Sequence, residues 1–272
     1  YLKWIMNISI SNIAWKKEEN FQALAVLKEQ NVHAIDLAPT LLFNSISDVT
    51  KDQIVSERSK YDAQKISIVA MQSLLYGAQE VSLFDGEQAS TGLMQHLEKV
   101  FFIGEHLKVK NVVFGSPKNR FIRDETIDHE KIAIVFFTKV SDLARKHNLT
   151  VCMEANPKEY ECNFLTNTFD AVDFIKKINH PNFKLNFDTS TVLLNGNDFK
   201  EVLDYAYPYM SHVHISSPHI QQIDGIDHKK ISDLLKEYQY KGYVALEVKP
   251  NLADNNINSL KKNLSIFRNF YG

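Results

Sequence analysis

The feature that most restricts this chain is a strict alternation of short β-rich runs with longer amphipathic stretches, repeated eight times from one end to the other. The β-rich runs fall at 5–13, 34–38, 66–71, 111–115, 150–155, 183–188, 211–215 and 244–248. Helices are expected at about 17–30, 51–64, 87–107, 128–146, 167–178, 198–207, 227–240 and 256–270. Apolar residues at helical spacing support them, as with Phe21, Leu24 and Leu27 beside Ala25. Asn148 follows one helix, and Thr166 or Asn167 can open the next. Parallel strands cannot be joined by tight turns, so regular strand–helix alternation implies a parallel sheet with helical crossovers. An open doubly wound sheet would carry a glycine-rich phosphate turn after its first strand, and Asn12–Ile13–Ala14–Trp15 contains no glycine. A closed barrel of this kind needs roughly 250 residues. The chain has 272, with no linker, low-complexity segment or charge block to divide it. The expected fold is α/β: a (β/α)8 TIM barrel, one domain over 1–272.

Composition narrows the function classes. With 44% hydrophobic and 24% charged residues, the chain can bury a large core and keep a polar surface. No apolar run approaches the about 20 residues that span a bilayer, so no membrane partner is expected. The opening Tyr1–Leu2–Lys3–Trp4–Ile5 lacks the apolar stretch and cleavage site of a secretory signal, and Met6 is taken as the natural start. Two cysteines, Cys152 and Cys162, make no disulfide framework, which points to a reducing cytoplasm. The balance of 31 basic against 33 acidic residues gives a net charge of −2, without the basic excess of a duplex-DNA binder. A small-molecule substrate is expected, and no nucleic acid.

In such a barrel, chemistry sits at the mouth where strands end and βα loops begin. Along the second half those ends carry Glu154 in Val151–Cys152–Met153–Glu154, Asp188 in Leu185–Asn186–Phe187–Asp188, His214 in His212–Val213–His214, and Glu247 in Ala245–Leu246–Glu247. They fall on candidate strands 5, 6, 7 and 8 in turn. Each carboxylate ends an otherwise apolar strand, and a buried, unpaired carboxylate costs several kcal/mol, so each needs a partner or a metal. A salt bridge near the mouth explains any one of them alone; four on successive strands are better explained together. Three carboxylates and one imidazole form an oxygen-rich site that suits manganese or magnesium and accepts cobalt or zinc.

The ordered set Glu154, Asp188, His214 and Glu247 resembles the sugar phosphate isomerase/epimerase superfamily, the xylose-isomerase-like TIM barrels. The likeness extends to Ser9–Ile10–Ser11–Asn12, to the Gly115–Ser116–Pro117 turn and to Gly242–Tyr243–Val244–Ala245–Leu246–Glu247, and so covers essentially the whole chain. The set is specific for the superfamily and poor at naming a member. In ketose epimerases and hydroxypyruvate isomerases of that group, the four matching positions bind a divalent metal and the two glutamates act as acid and base. The resemblance therefore implies a metal-dependent isomerase or epimerase of a small sugar or sugar phosphate, with manganese first among the metals. Glu154 and Glu247 would pass a proton through a metal-stabilised enediolate. Barrels of this group often pair, so a homodimer is expected.

Two positions depart from the pattern. Members often place a histidine three residues after the strand-6 aspartate, where this chain has Thr191, and many carry a lysine two residues past the strand-7 histidine, here Ser216. The metal quartet thus matches better than the substrate shell. Two other functions stay open. One is a non-catalytic carbohydrate-binding or regulatory barrel, which Thr191 and Ser216 favour. The other is an apurinic-endonuclease-like phosphodiesterase, which uses several zinc ions and needs more histidine ligands than the first four strands provide, where His33 precedes strand 2 and His106 sits in a helix.

Other residues complete the candidate site. Lys249 shares strand parity with Glu247, so its side chain either faces the pocket, where it could hold a phosphate or carboxylate, or extends into solvent. Lys118, Asn119 and Arg120 follow strand 4 and form either a polar or anionic subsite, with Arg120 the substrate-binding choice, or an ordinary charged loop. Trp15 and Gln72, near the ends of strands 1 and 3, either line a sugar pocket by stacking and hydrogen bonding or serve plain packing. Asp36 ends strand 2, where it binds a substrate hydroxyl or pairs with a lysine. His212 shares the parity of His214 one layer deeper and is read as a hydrogen-bonded core histidine. Cys152 is a small core residue under Glu154, and Cys162 lies in a loop.

Overall fold

All eight β-rich runs form strands, shown by a computed structural model that describes residues 5–78, 80–251, 253 and 255–272. Residues 1–4, most of the opening stretch in which a secretory signal would lie, are outside the described residues. The strands are β1 Asn7–Ser11, β2 Ala34–Leu37, β3 Ser67–Met71, β4 Asn111–Phe114, β5 Thr150–Glu154, β6 Phe183–Asp188, β7 Met210–Ile215 and β8 Tyr243–Leu246. Each pairs in parallel with the next, and β8 returns to β1 through Asn7↔Tyr243 to Ile10↔Leu246, closing the barrel. Every residue of β2 and β4 is buried, as expected for strands covered by helices on one face and barrel interior on the other.

The helices are α1 Asn20–Glu29, α2 Pro39–Leu42, α3 Lys51–Asp62, α4 Glu87–Leu107, α5 His129–Lys146, α6 Thr168–Ile178, α7 Thr189–Leu194, α8 Phe199–Ala206, α9 His228–Glu237 and α10 Asn256–Tyr271. Side-chain caps fix several starts. Thr50 and Gln53 form a reciprocal capping box on α3, while Asp128, Asn167, Asp198 and Asp227 accept backbone N–H bonds at α5, α6, α8 and α9. Asn167, not Thr166, opens α6. No described helix is long and apolar enough to cross a membrane.

Strand ends depart from expectation where polar residues turn the chain out of the sheet. β1 stops at Ser11 because its hydroxyl accepts the Ile13 N–H and starts a 3-10 turn at Asn12–Ala14. β8 stops at Leu246, so strand alternation has ended before Lys249, and of its two readings the structure shows the solvent-exposed one. The short helices α2 and α7, in the loops after β2 and β6, were not expected; both are shorter than a periodic pattern can reveal.

The barrel interior is partly polar. Asn111 on β4 reaches across to β7, donating to the Ser211 carbonyl at 3.0 Å and accepting from the Ser211 hydroxyl at 2.9 Å. Nearer the mouth, Ser9, Asp36 and His212 form a buried hydrogen-bonded layer. The functional side chains stand on that layer.

Candidate active site

Four neighbouring strands deliver their last residues to one mouth. Glu154 ends β5, Asp188 ends β6, His214 is the penultimate residue of β7, and Glu247 follows β8 directly. The register sets Asn186 beside Glu154 and His214 beside Asp188. His214 Nδ1 stands 3.2 Å from Glu154 Oε2 and 3.5 Å from Glu247 Oε2. Its Nε2 faces the opposite way, 3.5 Å from Asp36 Oδ2. His214 and Asp188 are buried, while Glu154 and Glu247 keep 16% and 13% of their side chains accessible from the mouth.

Each carboxylate is aimed by a neighbour. Asn186 donates to Glu154 Oε2 at 2.6 Å, and Gln72 donates to Glu247 Oε1 at 2.8 Å. Asp188 Oδ1 accepts the Ser190 hydroxyl and the Thr191 N–H, both at 2.8 Å, and Oδ2 accepts the Ser216 hydroxyl at 2.5 Å. Gly115 opens room for Glu154: a Cβ at this position would lie 2.6 Å from Glu154 Oε1.

The electrostatics follow from this crowding. Burial, then the charges of Glu154 and Glu247, push the Asp188 carboxyl up to about 7. Burial would raise Glu154 as well, but the His214 imidazole, Asn186 and Arg120 outweigh it and hold Glu154 below the usual carboxylate range. Burial opposes a charge on His214, yet Glu247, Asp36 and Glu154 together lift its basicity well above normal. Negative charge is therefore in excess. Both ring nitrogens of His214, though boxed in by carboxylates, lack hydrogen bonds. One donor atom from each of Glu154, Asp188 and His214 lies within 4.8 Å of the others. A hard divalent cation fits this donor set and would balance its charge.

The site opens into a cavity of about 1370 Å³ at the strand ends. A family model described as xylose isomerase-like TIM barrel matches residues 24–269. The chain belongs to the xylose isomerase-like TIM-barrel family. No curated protein sequence matches it. Among solved structures, the chain is similar to a 3-keto-D-glucoside 4-epimerase from E. coli, with 15% identity over 97% of this chain and 99% of the other and a TM-score of 0.80. It is also similar to a D-psicose 3-epimerase from Clostridium cellulolyticum H10, with 15% identity over 98% and 99% and a TM-score of 0.81. A probable 3-DHS dehydratase from Bacillus anthracis matches with 15% identity over 96% and 98% and a TM-score of 0.73. At such identities these likenesses describe the fold.

In this xylose isomerase-like barrel, Gln72 lines the cavity and donates to Glu247. Four other expected substrate contacts do not line it. Trp15 is packed in the core, its indole N–H donating to Asn20 at 3.0 Å. Arg120 is 0% exposed; it donates to the Glu154 carbonyl at 2.7 Å and contacts the Met153 sulfur at 3.0 Å, so it braces β5 from below. Lys249 is solvent-exposed. Asp36 is fully buried and pairs with histidines, neither with a lysine nor toward the cavity. His212 is a core histidine, 2.5 Å from Asp36, and Cys152 is buried with its thiol pushed up to about 12.

Several cavity residues escaped sequence reasoning. Tyr76, 74% exposed, stands on the loop after β3. Tyr160 ties two loops together: its hydroxyl accepts the His219 N–H at 2.8 Å and lies 3.4 Å from the Ser190 hydroxyl. His219 and Ile220 are both left-handed, with φ of 59° and 56°, a costly conformation for an isoleucine. Nothing in the local sequence signals that turn. Ser216 and Thr191 use their hydroxyls within the protein, on Asp188 and on the Ala155 carbonyl.

Proposed function

We propose that the chain is a divalent-metal-dependent isomerase or epimerase of a small sugar or sugar phosphate. The observation that carries this reading is the approach of two glutamates from different strands to one nitrogen of His214, at 3.2 and 3.5 Å, inside the cavity. Glu154, Asp188, His214 and Glu247 would hold the metal, with manganese the best match to the donors. When bound, it would supply a Lewis acid that polarises the substrate carbonyl and offsets the charge left as the adjacent carbon loses its proton.

The side chains do the rest. Glu154 is kept ionised by His214, Asn186 and Arg120, so it is ready to accept a proton. Glu247, oriented by Gln72, approaches from β8 and can return one. A proton taken by one carboxylate and given back by the other to the opposite face of the same carbon inverts that centre; delivered to the former carbonyl carbon, while the adjacent hydroxyl proton passes to the former carbonyl oxygen, it moves the carbonyl. Tyr76 on the rim offers an aromatic face for a sugar ring. Lys118, exposed and lining the cavity, takes over from Lys249 and Arg120 as the cation for a phosphate. The epimerases among the structural neighbours support the same reaction class.

The test is solvent-deuterium incorporation next to the carbonyl. Manganese-loaded protein is incubated in heavy water with free and phosphorylated ketopentoses and ketohexoses, D-psicose and L-ribulose among them. Exchange with at least one sugar is expected, and Glu154→Gln and Glu247→Gln should each abolish net turnover while the protein stays folded. Full activity in a folded, metal-loaded Glu247→Gln protein would remove the two-base mechanism. Sugar binding without exchange across the panel would identify a carbohydrate-binding barrel instead.

A further inference from the structure

His214 belongs to two clusters of metal-ligand type: one at the mouth with Glu154 and Asp188, and one beneath it with Asp36 and His212. The two differ in kind. Donors at about 2.1 Å from one ion in octahedral geometry lie roughly 3 Å from each other. His212 Nε2 and Asp36 Oδ2 are only 2.5 Å apart, a spacing that a shared proton explains and a common cation does not. Asp36 is completely buried and cannot turn away, because Oδ1 also accepts the Ser9 hydroxyl at 2.8 Å. Its Oδ2 faces His214 Nε2 at 3.5 Å.

The ring of His214 is thus held between two kinds of carboxylate. Nδ1 meets the partly exposed pair at the mouth, Glu154 and Glu247, and Nε2 meets the fully buried one below. A neutral imidazole carries one N–H, and the nitrogen opposite a fixed anion keeps it. We propose that Asp36, anchored by Ser9 and His212, is the positioning residue of the metal centre, holding the His214 proton on Nε2 so that Nδ1 presents its lone pair to the cation. The lower cluster is then the support of the upper one, and the chain takes a single cation. Outer carboxylates of this kind orient histidine ligands and raise their basicity. The inference rests on the metal-dependent reading above.

Calorimetric titration with Mn2+ tests it without reference to turnover. The wild type should bind one Mn2+ per chain. Asp36→Asn, which keeps volume and removes the charge, should bind it about 10–100-fold more weakly. In the 15N spectrum of Zn2+-loaded wild type, the His214 proton should sit on Nε2, and that assignment should be lost in the variant. If Asp36→Asn does not fold, Ser9→Ala carries the test: it removes one hydrogen bond from the same carboxylate and should cost several-fold in Mn2+ affinity. A lowered melting temperature with unchanged Mn2+ affinity, or two Mn2+ per wild-type chain, overturns the inference and leaves the proposed activity standing. A wild type that binds neither ion removes both.

Discussion

Gly115 shows how little room the site leaves. The carboxylate of Glu154 occupies the space where any larger residue's Cβ would sit, and its other oxygen is engaged by Asn186 and His214. Gly115→Ala should therefore push the carboxylate off those partners. The expected outcome is a fall in Mn2+ affinity and in sugar turnover of at least ten-fold, with circular dichroism and melting temperature little changed. Unchanged Mn2+ affinity in titration calorimetry would show that Glu154 has another way to reach the metal. At this scale the meeting of Glu154, Asp188, His214 and Glu247 at one mouth was legible in sequence, because a carboxylate or imidazole ending an apolar strand stands out from its neighbours. Asp36 was visible as a residue but its role was not, since its partner His212 lies 176 positions away and only barrel closure brings them together. Trp15 had two readings, pocket wall or packing, and the structure shows packing: its indole N–H bonds Asn20 on the following helix, and the ring is buried in the core.

At the scale of elements, Arg120 separates two readings of the loop after β4. As a phosphate ligand it would be dispensable for folding. The structure instead buries its guanidinium against β5, where it donates to the Glu154 carbonyl and helps keep the Glu154 carboxyl ionised. Arg120→Ala should destabilise the fold by about 2–5 kcal/mol, the range for emptying a buried site and orphaning a buried partner. Urea unfolding checks this: a loss under 1 kcal/mol together with weaker binding of phosphorylated sugars alone would restore the phosphate reading. Strands and long helices were legible because their apolar periods run for many residues and are closed by caps, as at α6. The loops that shape the cavity were not. The left-handed pair His219–Ile220 and the hydrogen bond from His219 to Tyr160 arise from packing between the loops after β5 and β7, which no local pattern encodes.

The whole molecule carries the cost of gathering three carboxylates at one mouth, and that cost depends on pH. Asp188 has a folded pKa of about 7, above its ordinary 3.8, so between those values the folded chain holds a proton that the unfolded chain has released. Stability from this group is full below the unfolded value and is lost as pH rises toward 7. His214, also raised, adds the same sign: its contribution is complete below 6.5 and fades as pH climbs through its folded value. Asp36 and Glu154 are lowered, so their contributions are lost only on acidification below the ordinary carboxylate range. Metal-free protein should consequently melt at progressively lower temperature from pH 5 to pH 8. A divalent cation that binds only the folded chain reverses the trend, because Asp188, one of the ligands it needs, sheds its proton over this interval. Thermal unfolding at four pH values, in EDTA and in Mn2+, reads both limbs. The decisive control is Asp188→Asn, which removes one of the crowded charges with little change of shape. In EDTA at pH 8 it should melt above the wild type, and in Mn2+ below it. A variant less stable than wild type under both conditions would mean that Asp188 serves the fold through its hydrogen bonds to Ser190, Thr191 and Ser216, and not the metal.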